Sequence, residues 1–234
     1  MSDDRIKTYL GKLDELMNGG VPKGHVVLLS GMPGTMKSSL AYNILYYNAK
    51  NDGIPGLYIT LEQGRDSLLQ HMKMLGMDHD LVKDKLGIVD IAFLRKSMEE
   101  NEDQDWLSVF KLYSENLKKN MKYEILAADS LAALEILAGI KNTRQELFHF
   151  FEWMRDLNVT TFLIAEAYDQ AVGVHDEEFL ADGVIALTKE RQGNDMIRRI
   201  VIDKMRGTNH ATGYYSLLVT DRGFELTQAI DSGF

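Results

Sequence analysis

The chain has 234 residues, 45% of them hydrophobic and 26% charged, with a formal net charge of −9 and no cysteine. That balance fits a globular chain of one large domain, residues 1–234, and excludes disordered, collagenous and fibrous classes. It leaves no disulfide framework, thiolate metal site or cysteine nucleophile. A negative field disfavours general nucleic-acid binding, although a local basic patch could override it. Residues 1–10 (MSDDRIKTYL) are polar and lack an apolar signal core, and no 18-residue apolar run occurs. The expectation is a cytoplasmic protein that does not enter a membrane.

Apolar strand-like runs alternate with amphipathic helical ones, which reads as α/β with a mostly parallel central sheet flanked by helices. Residues 25–29 (HVVLL) form a short buried strand that runs into a glycine-rich turn. From Ser38, the positions Leu40, Ala41, Ile44 and Leu45 keep helical spacing, with Asn48 the one polar break. Residues 56–61 read as a second strand. Leu68, Leu69, Met72 and Leu75 mark a helix that stops near Gly76, and residues 87–91 form a short strand. The acidic run 98–105 reads as a solvated loop, after which Trp106, Phe110, Tyr113 and Leu117 line one helical face. Residues 124–128 are a strand. Thr143-Arg144-Gln145-Glu146 has the capping-box pattern and opens a helix through Leu147, Phe151 and Met154. Residues 159–165 are another strand. Past residue 180, short strands at 183–189, 197–206, 213–219 and 222–226 are closely spaced, with turns at Gly193-Asn194 and Asp221-Arg222-Gly223. The sheet is expected to end in antiparallel hairpins.

Gly31-Met32-Pro33-Gly34-Thr35-Met36-Lys37-Ser38 sits between a predicted strand and a predicted helix, the context a phosphate-binding P-loop requires. In such a loop, backbone N–H groups and the helix N-terminus wrap the phosphates. Lys37 would reach the β- and γ-phosphates and the Ser38 hydroxyl would bind Mg²⁺, with Ser39 completing the nucleotide-binding set. The consensus glycine before the lysine is replaced by Met36, whose side chain must point away from the phosphates or obstruct them. An ordinary strand–turn–helix connection is the alternative.

In open α/β sheets, ligands bind beyond the carboxyl ends of the strands. Glu62 follows the second strand, and Asp129 and Ser130 follow the strand at 124–128, so they could meet Lys37 and Ser38 at one edge. Asp129 would hold the water shell of Mg²⁺, and Glu62 would orient or deprotonate the attacking water. Taken singly, either acid could be a helix cap or an exposed loop residue. Glu166 is a weaker member, a nucleotide-sensing residue or a polar strand end. Later, Lys204 and Arg206 stand two apart after Ile200 and Ile202, which on a regular strand puts all four on one side. Two fixed cations suit a developing phosphoryl charge. Snorkelling cations at a strand end would give the same pattern.

Together these segments resemble the KaiC-type branch of the RecA superfamily of ATPases over nearly the whole chain. Leu13-Asp14-Glu15-Leu16 and residues 19–24 (GGVPKG) resemble the family's lead-in to the first strand. Tyr58-Ile59-Thr60-Leu61-Glu62-Gln63 resembles the strand ending in paired acids, with Gln63 in place of the second. Asp129-Ser130 resembles the Walker B terminus, and residues 204–210 (KMRGTNH) are similar to the most distinctive late motif. The resemblance implies a RecA-like P-loop fold, ATP and Mg²⁺ as cofactors, and a ring-shaped homo-oligomer, with a hexamer expected. It also implies that Lys204 and Arg206 reach the neighbouring subunit's nucleotide; it names no protein partner.

Met36 and Gln63 depart from the pattern and bear on hydrolysis rate more than on nucleotide binding. Met36 is expected to turn its stem outward, toward the next subunit or the segment around Glu62. Only one repeat is resembled, so timekeeping is not implied. The function read here is a slowly hydrolysing ATPase that serves as an oligomeric nucleotide-dependent switch. The alternative is a non-catalytic nucleotide-binding regulator. Recombinase-like DNA binding is disfavoured, because residues 131–140 are mainly apolar and residues 169–178 carry acids without Lys or Arg. Autokinase activity is disfavoured because residues 162–187 contain no Ser or Thr.

Overall fold

The computed structural model describes residues 4–91, 105–139, 143–167, 176–220 and 223–228. In chain order the elements are β1 (Arg5–Ile6), α1 (Lys12–Leu16), β2 (Val21–Pro22), β3 (Val26–Gly31), α2 (Lys37–Tyr47), β4 (Gly56–Thr60), α3 (Arg65–Met74) and β5 (Leu86–Asp90). There follow α4 (Trp106–Met121), β6 (Ile125–Asp129), α5 (Leu131–Ala138), α6 (Thr143–Asp156), β7 (Thr160–Glu166) and α7 (Asp176–Leu180). The last elements are β8 (Gly183–Gln192), β9 (Asp195–Met205), β10 (Tyr215–Thr220) and β11 (Gly223–Gln228). Residues 98–104 of the acidic run, Asp221 and Arg222 of the last turn, and the Thr143 side chain lie outside the described residues.

β1 and β2 form a small antiparallel ribbon. The other nine strands make one sheet in the order β11-β10-β9-β8-β3-β7-β6-β4-β5. The six strands from β8 to β5 are parallel, and β9, β10 and β11 extend the sheet antiparallel. This is the α/β architecture read from the sequence. β3, β4 and β6 are buried along their full length. Both faces are covered, so these strands are nearly continuous apolar runs. Alternation sends Val27, Leu29, Tyr58, Ala127 and Phe162 to the layer with α2, while Val26, Leu28, Leu57, Ile59 and Leu163 face Phe110, Phe150, Phe151 and Met154.

Three local readings change. Asn48 is buried, and its Nδ2 donates to Lys7 O and Ile44 O, both at 2.7 Å, which ties the N-terminal segment to the end of α2. On α4, Tyr113 is exposed and Trp106 and Leu117 are half-buried; Phe110 and Ser114 face inward.

The third change is in β9. Val184 faces Lys204, but Ile185 faces Ile202, so Asp203 is an extra residue in a β-bulge. The bulge reverses the side-chain alternation. Ile200, Ile202 and Met205 therefore share one apolar layer. The expectation that Lys204 and Arg206 continue the Ile200–Ile202 face is corrected: Lys204 is out of step with it, and Arg206 lies past the strand end.

Candidate functional site

β3 ends on Gly31 with φ +155°, and a Cβ there would lie 2.2 Å from the Leu187 carbonyl oxygen of β8. Only glycine allows that approach, which fixes where the loop leaves the sheet. The loop reaches α2 through Met36, which caps the helix in the left-handed conformation at φ 77°, ψ 25°. This explains the consensus glycine in backbone terms, since L-residues are strained there. The Met36 side chain is half-buried, packs against the apolar layer containing α2 and also borders the cleft. Of the two directions expected for Met36, the segment around Glu62 shares its cleft, and the apolar contact takes up part of the side chain.

Thr35 is buried and donates to Met32 O at 2.8 Å. Lys37 is buried, and its Nζ donates to Gly31 O at 2.7 Å and Met32 O at 3.1 Å. Burial pushes the Lys37 pKa down, against the pull of Glu166, Asp129 and Glu62, while Lys189 adds to the lowering. Two further cations hold the loop's carbonyls: Lys189 Nζ donates to Pro33 O at 2.9 Å and Arg198 Nε to Gly34 O at 3.2 Å. They are cross-strand partners in the β8–β9 hairpin. The sequence reading missed both, because only the strand register brings them to the loop.

A cleft of about 270 Å³ opens at this edge. Pro33, Gly34, Met36, Lys37, Ser38 and Ser39 line it from the loop and α2; Glu62, Asp129, Ser130, Ile164 and Glu166 line it from neighbouring strand ends. The residues expected to meet at this edge do meet. Asp129 Oδ2 accepts from the Tyr58 hydroxyl at 2.7 Å, with the Ser38 side chain close to the same hydroxyl. Burial first, and then the Asp129 charge, push the Tyr58 pKa well up. The Ser130 hydroxyl donates to Glu62 Oε1 and also accepts from Ala133 N at the start of α5. Gln63 turns to α3, with Nε2 2.8 Å from Ser67 Oγ and 2.8 Å from His71 Nδ1. A larger groove of about 570 Å³ between β9 and β10 is lined by Met196, Ile197, Leu218 and Val219 among others, with no carboxylate in its lining among the described residues.

The donor set fits Mg²⁺. Ser38 and Asp129 bring one hydroxyl and one carboxylate to the same phenol. Among the described residues, no group of three or more His, Asp or Glu could hold a metal. A small hard cation that keeps several waters and binds nucleotide phosphates asks for few protein oxygens.

Lys204 and Arg206 lie at the opposite end of the sheet. Lys204 Nζ donates to Glu178 O at 2.9 Å and Phe179 O at 3.2 Å. Arg206 donates to Asp182 Oδ1 at 2.9 Å and Phe179 O at 3.1 Å. Asp182 Oδ2 also accepts from Arg155 Nε and Val26 N–H, both at 3.1 Å. Burial raises the Asp182 carboxyl, but hydrogen bonds from Arg155, Val26 and Arg206 hold it below the usual range. Val26 begins β3 and Gly31 ends it, so roughly 16 Å of strand separates this cluster from the loop. Within one chain the structure does not bring the pair to the cleft.

The model of the family described as "ATPase: KaiC" matches residues 6–230. The chain belongs to the KaiC family of ATPases. It is 30% identical over 230 residues to the circadian clock oscillator protein KaiC of Picosynechococcus sp., covering 95% of this chain but only 44% of that protein. It thus spans less than half the length of that KaiC. A UPF0273 protein of Aeropyrum pernix is 28% identical over 230 residues, covering 94% of this chain and 92% of its own length. The crystal structure of a KaiC-like protein from Pyrococcus horikoshii OT3 superposes with a TM-score of 0.82 at 28% identity, over 95% of this chain and 98% of that one. KaiC-type architecture and the RecA-like sheet therefore coincide. Among the described residues, no helix is long and apolar enough to cross a membrane.

Proposed function

We propose that this KaiC-family chain is an ATPase that binds Mg-ATP in the cleft, hydrolyses it slowly, and works as a homo-oligomeric nucleotide-dependent switch. The observation that carries the reading is the meeting of Lys37, Ser38, Glu62 and Asp129 at the carboxyl edge of the parallel strands. In this reading Lys37 and the loop amides from Gly31 to Ser39 hold the phosphates. Ser38 and Asp129 hold Mg²⁺, which neutralises phosphate charge when bound. Glu62, steadied by Ser130, orients the attacking water.

Lys204 and Arg206 serve the nucleotide of a neighbouring copy. Their place at the far end of β3 supports this, because in their own chain they face away from the cleft. A ring, expected to be a hexamer, would supply the interface. Slow turnover follows from the strained Met36 and from having one acid, since Gln63 is bound to α3. That same Gln63 contact favours the second reading, a non-catalytic nucleotide-binding regulator. Phosphate release at saturating Mg-ATP separates the two.

The first test is Lys37→Ala. Calorimetric titration with Mg-ADP should show affinity lowered at least about 100-fold, the cost expected for losing a buried charge-assisted contact. A circular-dichroism spectrum equal to the parent's certifies the fold. Unchanged affinity refutes the cleft assignment. Light scattering with Mg-ATP tests the assembly, and a strict monomer at high concentration sinks the ring.

A further inference from the structure

Tyr58 did not stand out in the sequence as a site residue, yet its hydroxyl is bonded to Asp129, one of the groups assigned to the cation. It sits mid-way along β4, fully buried, with its ring 5.9 Å from that of Tyr42 on α2. Packing explains the ring but not the oxygen. A phenylalanine would fill the same apolar space without burying a hydroxyl that needs partners. The partner it has is Asp129 Oδ2, 2.7 Å away.

A phenol has one proton to give. Here it goes to Asp129 Oδ2. That bond restricts rotation of the carboxylate. Oδ1 becomes the oxygen that can answer a cation's water shell.

We propose that Tyr58 is a positioning residue for the divalent cation that accompanies the nucleotide, its hydroxyl holding the Asp129 carboxylate with one oxygen facing the cation. This rests on the Mg-nucleotide reading above. Partners that orient a metal's ligands are typically worth about 10-fold or more in metal affinity.

The test is Tyr58→Phe, which keeps the ring and removes one oxygen. Mn²⁺ is the probe, its free concentration followed by electron paramagnetic resonance with the protein and saturating ADP. Metal-free nucleotide binding is measured separately with a fluorescent ADP derivative in EDTA. The expected result is a roughly 10-fold loss of Mn²⁺ affinity with metal-free binding unchanged. In an Asp129→Asn background, Tyr58→Phe should add no further loss. Equal Mn²⁺ affinity overturns the proposal. So does an equal loss of metal-free binding, which would mark general damage to the cleft, and so does an additive loss in the Asp129→Asn background. If the parent protein takes up no Mn²⁺ with ADP, the Mg-nucleotide reading itself has failed. Tyr58→Leu repeats the comparison should Tyr58→Phe not fold; failure of both to fold makes Tyr58 a packing residue and overturns the proposal.

Discussion

The two ends of β3 are built on opposite plans. At the Gly31 end a buried cation, Lys37, lies in the field of Glu166, Asp129 and Glu62. At the Val26 end a carboxylate, Asp182, is gripped by Arg155 and Arg206, with Lys204 close by. The difference lies in what the cations hold. Lys37 donates to main-chain carbonyls of its own loop, neutral acceptors that an anionic phosphate can displace. The arginines donate to a charged partner that also takes the Val26 amide, which fixes them in place. One end is arranged to exchange partners with a ligand; the other fixes its two arginines on a carboxylate, while Lys204 there donates to main-chain carbonyls.

The comparison can be broken first at the Gly31 end. Gly31→Ala sets a Cβ against Leu187 O and should separate β3 from β8. The expected cost is about 3 kcal/mol, a drop in Tm of roughly 6–12 °C, read by thermal denaturation. A loss under about 1 kcal/mol would show that the loop does not depend on this contact.

The Val26 end is tested by Asp182→Asn. The carboxyl is held below its ordinary value in the folded state, so its contribution is full above the unfolded value near 3.8 and fades as pH falls through the folded one. At pH 7 the variant should lose about 1–3 kcal/mol, toward the lower figure because Arg206 is half exposed. At pH 3 the gap should narrow. Melting curves at both pH values check this, and a gap of constant size means the charge is not what matters.

Met36→Gly should have the smallest effect on stability and still change turnover. Relief of the left-handed strain, about 1 kcal/mol, is offset by the apolar contact given up. Phosphate release should rise while Mg-ADP affinity holds. If turnover is no faster, Met36 is not a brake.

Much of the fold was legible because strands buried on both faces leave apolar runs, as at residues 26–29 and 125–128, and because a phosphate loop needs its residues consecutive. The acids at strand ends were legible for the same reason: a parallel sheet delivers every carboxyl end to one edge. What stayed hidden depends on register. Lys189 and Arg198 reach the loop only because they face each other across a hairpin. Asp182 meets Arg155 and Arg206 from separate elements. Tyr58 reads as one more apolar strand residue until its hydroxyl is placed beside Asp129. For Met36, the reading of an outward turn did not include the contact with the adjoining apolar layer, which comes from elsewhere in the chain.

β8 contains ten residues and β9 eleven. The surplus residue, Asp203, works as a phase shift in the strand. Before it, even-numbered positions belong to the apolar layer, as Ile200 and Ile202 do; after it, the odd-numbered Met205 does. Lys204 is thereby delivered to the cationic cluster without a polar residue entering the core. Paired without the bulge, the same eleven residues would keep an even beat and put Lys204 in place of Met205 in that layer, so this strand is specified by its register as much as by its composition.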